Sequence, residues 1–431
     1  MTKTDQLRKG FVKQTIIKNS KALIFPGSTV AGYAHINSLG LAGIHVVALS
    51  PKNCSNFRSR YVQEKHIVPD PTREHENFVS WLIDYGKRQR YKPVLFLVED
   101  LYAYLASLYQ DDLKPYFLYP YIQSDKMKIF FNKKWMYKQA DAARIMYPES
   151  FFSPLTDDEV AQWQHYPAVL KPLVSRFTFA KERLIDVVKF PTLFGGKAIR
   201  ASNERELRHY ISALHESNIE YCIQRYIPGE NRNLATNMFV ADWDGSIPSC
   251  FIHRKYRQQP ADFGTRCVGE SEYIPCLHEY SEQFCKATGY SGPGSMEFKK
   301  NQNDGEWYLM EINPRLGFSI GMGTRKGVNM PLQMYLLSTG QSLFLEKQRE
   351  KGRYWIDVLG DYDGLKWRQK RKEWRSSLFQ IIKPYLYFNE AVFNWKDPIP
   401  GVTRIAERII MKKINIKRLI LKSSSIDRIP K

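Results

Sequence analysis

The chain has 431 residues, with 64 Lys and Arg against 44 Asp and Glu, and a formal net charge of +20. This length is about three times the usual domain size of roughly 150 residues, which predicts two to four domains. A hydrophobic fraction of 43% with 25% charged residues is typical of a folded chain and excludes the disordered, collagen-like and solenoid classes.

Apolar runs such as residues 93–98 are far shorter than the roughly 18 residues needed to cross a bilayer. The first residues, Met1–Gln6, are not followed by the continuous apolar stretch of a secretory signal, which predicts a cytoplasmic location. The six cysteines lie far apart and form no C-x-x-C pair. Their spacing favours neither a disulfide framework nor a zinc site.

The first elements predict a doubly wound parallel sheet. Residues 22–28 form an apolar run that ends in a glycine turn, and the apolar residues of 31–39 follow at helical spacing. Three further apolar runs, at 45–49, 66–68 and 94–98, are separated by polar stretches of helix length. This βαβ pattern predicts an α/β domain over residues 1–125.

The glycine turn after the first predicted strand resembles a nucleotide-binding loop only in part. Gly27 and Gly32 have the spacing of a P-loop, but Tyr33 stands where that motif needs a lysine. A G-x-G-x-x-G fingerprint is also absent from this turn. A simple glycine-lined turn is the main interpretation, and Gly27 and Ser28 remain substrate-site candidates because ligands bind at this edge of such sheets.

A second unit with an α+β pattern follows, with predicted strands at 168–171, 221–224, 237–241 and 307–311. We assign an N-lobe to 126–220 and a C-lobe to 221–345. Residues 346–431 are predicted to be a basic helical extension. This last segment holds about half of the net positive charge of the chain.

A predicted hairpin carries the strongest chemical signal. Along the strand that ends at Asn313, side chains alternate, so Glu311 and Asn313 share one face and Ile312 lies on the other. Glu297, on the preceding strand, can face them. Two carboxylates and an amide oxygen make a hard oxygen site suited to Mg²⁺. The alternative is that both glutamates are solvated charges of a hairpin.

Residues 310–315, Met-Glu-Ile-Asn-Pro-Arg, resemble the magnesium signature of the ATP-grasp superfamily. In that superfamily two α+β subdomains close on ATP and activate a carboxylate as an acylphosphate. The superfamily order is a first lysine, a strand ending in Lys-Pro, a linker with an Ile-Pro-Gly turn, and then the metal strands. This chain offers these elements in that order, at residues 132–134, 166–172, 222–230 and 297–313.

The resemblance implies ATP and Mg²⁺ as cofactors and a role for each matching residue. Lys133 and Lys171 would hold the phosphates, and Glu230 would bind the ribose. The metal ligands would be Glu297, Glu311 and Asn313, while Arg315 would stabilise the transferring phosphoryl group. The adenine-binding linker would comprise Gln224, Arg225, Tyr226 and Ile227.

The phosphate-covering lid is less well defined by the resemblance. Residues 173–177, where it is expected, are not glycine-rich. Gly195 and Gly196 come later, which makes Lys197 a third candidate for phosphate or lid contact.

Two segments are candidates for the substrate pocket. The basic segment 253–266 places Arg257 or Arg266 as a clamp for the substrate carboxylate, with a solvated strand pair as the alternative. The glycine-dense segment 317–327 follows the metal strand and can shape an acceptor pocket. Within it, Ser319 and Arg325 are candidates.

The middle section, with residues 355–357 and 397–400, is similar to a bacterial subgroup of carboxylate–amine ligases. That similarity implies small-molecule carboxylate and amine substrates joined as an amide or peptide, often on cell-wall or surface-polysaccharide building blocks. ADP and phosphate would be released. Two alternatives are an ATP-grasp kinase that phosphorylates without ligation and a nucleotide-binding scaffold at a membrane surface.

The tail from Arg404 to Lys422 alternates isoleucines with cations at roughly helical spacing. It is interpreted either as a helix packed on the protein or as a helix on an anionic membrane, which suits a lipid-linked saccharide. Nucleic acid is not an expected partner, because the tail has no aromatic residues for stacking. The oligomeric state stays open, with a homodimer among the options.

Overall fold

The computed structural model describes residues 16–122, 124–174, 177–180, 183–186, 189–260, 263–349, 354–370, 378–387 and 389–410. Within these residues the chain forms two four-stranded sheets, one six-stranded sheet and one two-stranded hairpin. All six cysteines are free thiols, and four of them are buried.

The N-terminal sheet is parallel throughout, as predicted. Its strands are Ala22–Phe25 (β1), Val46–Ser50 (β2), Val62–Ile67 (β3) and Val94–Leu97 (β4), in the order β3-β2-β1-β4. β1, β2 and β4 are buried along their whole length, as expected of parallel strands with both faces covered. The connecting helices are Val30–Leu41, His75–Lys87, Asp100–Leu108 and Gln110–Leu113.

The glycine turn after β1 has a packing role. A Cβ atom at Gly32 would lie 2.3 Å from the Pro26 carbonyl oxygen, so the start of helix Val30–Leu41 packs directly on this turn. The Thr29 side chain caps the same helix by accepting from the Gly32 N–H at 3.0 Å. Close packing therefore accounts for the G-x-x-x-x-G spacing without a phosphate.

The second sheet is antiparallel and forms the smaller lobe. Its strands are Ser150–Phe152 (β5), Ala168–Pro172 (β6), Ile199–Ala201 (β9) and Tyr221–Arg225 (β10), and the separate hairpin consists of Phe177–Ala180 (β7) and Arg183–Asp186 (β8). Helices Asp157–Ala161, Lys189–Phe194 and Glu204–Glu216 belong to this lobe, while the preceding helices, Ser124–Phe131 and Lys133–Ala142, pack in the core of the larger lobe. β10, which begins just after the predicted lobe boundary at residue 220, pairs with β5 and β6 of this sheet.

The third sheet is antiparallel and forms the larger lobe. Its strands are Leu234–Ala241 (β11), Cys250–Gln259 (β12), Thr265–Ser271 (β13), Gly292–Lys300 (β14), Trp307–Asn313 (β15) and Tyr354–Ile356 (β16), in the order β15-β14-β11-β12-β13-β16. One face packs on helix Pro275–Thr288, and the other faces the N-terminal domain through Met238 and Phe251. Helices Ile320–Arg325 and Met330–Ser338 follow β15.

The C-terminal extension is joined to both the large sheet and the N-terminal domain. β16 adds to the edge of the large sheet, and helices Val358–Lys370 and Leu378–Ile382 follow. Asp397 accepts hydrogen bonds from the Ser59 hydroxyl at 2.6 Å and the Arg60 N–H at 3.0 Å. Residues 398–410 are helical, and the rest of the predicted tail helix lies outside the described residues.

Candidate active site

The three predicted metal ligands lie on one face of the β14–β15 hairpin. Glu297 is directly opposite Glu311, and Ser295 is opposite Asn313. Because strand side chains alternate, the two carboxylates and the Asn313 amide share a face, and Ile312 is buried on the other. The geometry that we predicted for this hairpin is confirmed.

Glu297 is held in its charged form by neighbouring cations. The Lys255 ammonium lies 3.3 Å from its carboxylate. Burial opposes ionisation, but Lys255 and Arg266 outweigh burial and hold the pKa of Glu297 below its usual value. A pair of facing carboxylates with an adjacent amide oxygen fits the hard oxygen donors that Mg²⁺ prefers.

Lys171 reaches the same region from the smaller lobe. Burial, together with the charge of Lys133, lowers the pKa of Lys171 to about 8, while Glu311 and Glu297 act in the opposite direction. Lys171 therefore lies within range of the charges of Glu297 and Glu311 on the large sheet, with Lys133 nearby. Because this pKa is close to neutrality, an anion that binds beside Lys171 raises the pKa and increases the protonated fraction of the side chain.

Gln224 orients Lys171. Its side-chain oxygen accepts from the Lys171 ammonium at 2.8 Å, and its amide nitrogen donates to the Tyr137 hydroxyl at 2.7 Å and to the Ser150 hydroxyl at 3.1 Å. The side chain is 1% exposed. A buried amide bonded in this way is fixed in place, and the adenine contact that we assigned to Gln224 stays a prediction.

The linker after β10 connects the two lobes through Tyr226. The Arg200 guanidinium lies 4.4 Å from the centre of its ring, and the Lys299 ammonium lies 4.7 Å from it. Arg200 belongs to the smaller sheet and Lys299 to the larger. Ile227 is buried and Glu230 is exposed beside it. The nucleotide contacts of Arg225, Tyr226, Ile227 and Glu230 stay predictions.

Arg315 lies at the domain interface. It forms an ion pair with Asp100 of the N-terminal domain, at 2.8 Å from Nε and 2.9 Å from the terminal nitrogen. Burial opposes its charge, but Asp100 and then Glu311 outweigh burial and raise the pKa of Arg315. Arg315 therefore lies within range of the charge of Glu311, and Asp100 fixes its orientation.

The two candidate carboxylate clamps have different surroundings. Arg266 is buried near Glu297, on the site face of the large sheet. Arg257 instead forms a buried two-point ion pair with Asp361, at 2.7 and 2.6 Å. A register shift between Lys255 and Arg257 explains this difference, because one extra residue turns Arg257 to the opposite face. The structure does not bring Arg257 to the carboxylates.

The remaining candidates lie further from this cluster. Lys197 is exposed after helix Lys189–Phe194, and part of the predicted lid segment lies outside the described residues. Arg325 donates to the backbone carbonyls of Glu390 and Phe393 and so anchors the C-terminal extension. Ser319, in contrast, is buried beside Arg266.

Sequence reasoning did not single out His253, Lys255 or Asp100. His253 and Lys255 were visible only as members of a basic segment, and their alternation on β12 is the signal that places both on the site face. Asp100 gave no local signal, because it pairs with Arg315 across 215 residues.

The chain has the ATP-grasp fold, which consists of a parallel N-terminal sheet, a small antiparallel lobe and a large antiparallel lobe that carries the carboxylates. The predicted resemblance and fold class are therefore confirmed. The family model of the carbamoyl-phosphate synthase L chain, ATP binding domain, matches residues 266–344. This range includes Glu297, Glu311, Asn313 and Arg315.

Individual relatives agree with this fold. The chain is 25% identical over 283 residues to a D-aspartate ligase from Enterococcus faecium (strain Aus0004), covering 62% of this chain and 65% of the relative, just under two thirds of its length. An N5-carboxyaminoimidazole synthetase from Staphylococcus aureus superposes with a TM-score of 0.59 and 14% identity, covering 83% of this chain and 86% of that one. An L-amino acid ligase from Bacillus licheniformis gives 0.54 and 12% identity, covering 75% of each chain.

Proposed function

We propose that the protein is an ATP-dependent carboxylate–amine ligase that forms an amide or peptide bond through an acylphosphate. The observation that carries this proposal is the facing pair Glu297 and Glu311, with Asn313 beside them and Lys171 close by on the smaller lobe. The likeness to a D-aspartate ligase and to an L-amino acid ligase supports amide formation as the reaction class.

The residues present fit Mg-ATP. Glu297, Glu311 and Asn313 supply oxygen donors for Mg²⁺, which when bound neutralises phosphate oxygens. Lys133 and Lys171 hold the phosphates of ATP, and the linker Gln224–Ile227 with Glu230 holds adenine and ribose. In this proposal Arg315 faces the transferring phosphoryl group, where a fixed guanidinium stabilises developing charge.

Two bond exchanges complete the reaction. A substrate carboxylate oxygen attacks the γ-phosphorus, and the bond from that phosphorus to ADP breaks. The amine nitrogen of the second substrate then attacks the acyl carbon, the carbon–oxygen bond to phosphate breaks, and the amine loses a proton. We assign the substrates to the building blocks of the cell wall or surface polysaccharide, on the strength of the subgroup resemblance.

Nucleotide release by the purified protein tests this proposal. With Mg-ATP and pools of amino acids paired with uronic acids or short peptides, we expect ADP and phosphate only when one acid and one amine are both present. Mass spectrometry should then show the amide. A phosphorylated product that forms without an amine would favour the kinase alternative, and AMP with pyrophosphate would contradict the ligase mechanism.

The helical residues 398–410 support association with an anionic membrane surface, which we propose as a second property. Arg404 pairs with Asp357 at 3.0 Å and Arg408 pairs with Asp363 at 2.5 Å, so both arginines face the protein. The apolar side chains face outward, with Ile399, Val402 and Ile409 exposed by 54%, 56% and 52%. An exposed apolar stripe on a basic extension suits a leaflet of anionic lipid.

None of the helices in the described part of the chain has the length and apolarity needed to cross a bilayer.

Vesicle sedimentation checks the membrane proposal. Wild-type protein should bind phosphatidylglycerol vesicles and dissociate in high salt, and Val402→Glu with Ile409→Glu should weaken binding by at least about tenfold, because charge opposes insertion. Ile67→Glu is the matched control, since Ile67 is similarly exposed but lies on the N-terminal sheet. Equal binding by both variants, or no binding by the wild type, would contradict the proposal.

A further inference from the structure

The Arg266 guanidinium is a buried cation whose described partners are hydroxyl groups. One terminal nitrogen donates to the Ser319 hydroxyl at 3.1 Å and the other donates to the Thr236 hydroxyl at 2.6 Å. Among the described residues, its Nε has no hydrogen-bond partner. Burial lowers the pKa of Arg266 to about 10, with Glu297 acting in the opposite direction, so the side chain stays charged at neutral pH.

A buried arginine normally faces a carboxylate, because an uncompensated charge is costly to bury. Arg257 and Arg315 follow this rule through Asp361 and Asp100. Within the described residues, Arg266 instead donates to two hydroxyl groups, and Glu297 acts on it through its charge without forming an ion pair. Its position is therefore suited to an anion that arrives with a ligand.

His253 determines the orientation of the Ser319 hydroxyl toward Arg266. The Nδ1 atom of His253 lies 3.0 Å from the Thr236 carbonyl, which can only accept, so Nδ1 carries the proton. Its Nε2 then accepts the Ser319 hydroxyl. Burial, with the charges of Arg266 and Lys255, holds the pKa of His253 well below its usual value, so the ring is neutral. The Ser319 lone pairs consequently face Arg266.

A glycine provides the room for this arrangement. A Cβ atom at Gly269 would lie 3.0 Å from Cδ of Arg266 and 3.4 Å from Cδ2 of His253. Any side chain at this position would crowd both groups. Two hydroxyl groups thus hold the guanidinium, and the His253 imidazole orients one of them. Glycine at residue 269 leaves space for both the guanidinium and the imidazole.

The fixed guanidinium lies beside the metal-ligand face. Thr236 is directly opposite Glu297 on one neighbouring strand and opposite His253 on the other. We propose that His253, Ser319 and Thr236 are positioning residues that direct Arg266 at an oxyanion bound next to Glu297. This inference rests on the proposed function, in which that oxyanion is either the transferring phosphoryl group or the substrate carboxylate.

Calorimetric titration tests the inference without knowledge of the substrates. Inorganic phosphate, and acetate in a parallel series, are titrated into full-length protein saturated with Mg-ADP. We expect Ser319→Ala and Thr236→Val each to weaken anion affinity by about tenfold, since each removes a bond that orients a charged donor. Thr236→Ser, which keeps the hydroxyl, should stay within about threefold of the wild type. All variants should retain wild-type affinity for Mg-ADP.

The outcomes distinguish failure of the inference from failure of the proposed function. Tighter binding of phosphate than of acetate would assign the oxyanion to the phosphoryl group, and the reverse order would assign it to the carboxylate. Unchanged anion affinity in both Ser319→Ala and Thr236→Val, with Mg-ADP still bound, would overturn the role of these residues. If neither anion binds the wild-type Mg-ADP complex, the inference also fails. Failure of the wild type to bind Mg-ADP would instead overturn the proposed function.

Discussion

Replacing Glu311 with Gln is expected to lower ATP-dependent turnover by about a thousandfold, equivalent to about 4 kcal/mol of transition-state stabilisation. Glu311 faces Glu297 across the hairpin, and its carboxylate supplies half of the negative charge that would hold Mg²⁺ there. An amide keeps the shape of the side chain but not the charge. The measurement is release of ADP and phosphate with the substrate pair identified for the wild type.

The matched control is Glu306→Gln. Glu306 is exposed one residue before the same strand, and no role in the site is expected of it. This variant should retain wild-type turnover, while both variants should melt at nearly the same temperature as the wild type. Wild-type turnover in Glu311→Gln would remove Glu311 from the metal site.

Replacing Asp361 with Asn is expected to destabilise the large lobe and its extension by about 3–5 kcal/mol, because it leaves the Arg257 charge buried without a counter-ion. Asp361 meets Arg257 at 2.7 and 2.6 Å and also accepts from the Tyr385 hydroxyl at 2.6 Å. Both partners of the ion pair are almost fully buried. Urea unfolding followed by tryptophan fluorescence measures the loss.

Asp363→Asn is the matched control on the same helix. Its ion pair with Arg408 is solvent-exposed, so this change should cost less than about 1 kcal/mol. Converting the buried pair together, with Arg257→Met and Asp361→Leu, should recover most of the loss, because no charge is then stranded. Equal destabilisation by Asp361→Asn and Asp363→Asn would contradict this account.

Elements with a strong local period are predictable from the sequence. The apolar runs indicate β1, β2 and β4, and the period of two along residues 311–313 is enough to place Glu311 and Asn313 on one face. These patterns depend on only a few consecutive residues. The local pattern of apolar and polar residues is therefore sufficient to predict these strands.

Features that depend on distant residues are not predictable in this way. The bulge that turns Arg257 away from the site follows from how β12 pairs with β13, and a single strand carries no sign of it. The spacing of the tail predicts a helix that packs on the protein or lies on a membrane, but not which face turns inward. Its arginines face inward because Asp357 and Asp363, more than forty residues earlier, provide the counter-charges.

The contact between Asp397 and the N-terminal domain has a consequence for protein engineering. Asp397 is buried and also lies 3.2 Å from the Tyr33 hydroxyl, so residues more than 300 positions apart in the chain share one hydrogen-bonded cluster. The cluster holds the C-terminal extension against the N-terminal domain. A relative's extension grafted onto this protein would need its own acidic residue at that position. The N-terminal domain and the C-terminal extension are therefore expected to be exchangeable only together.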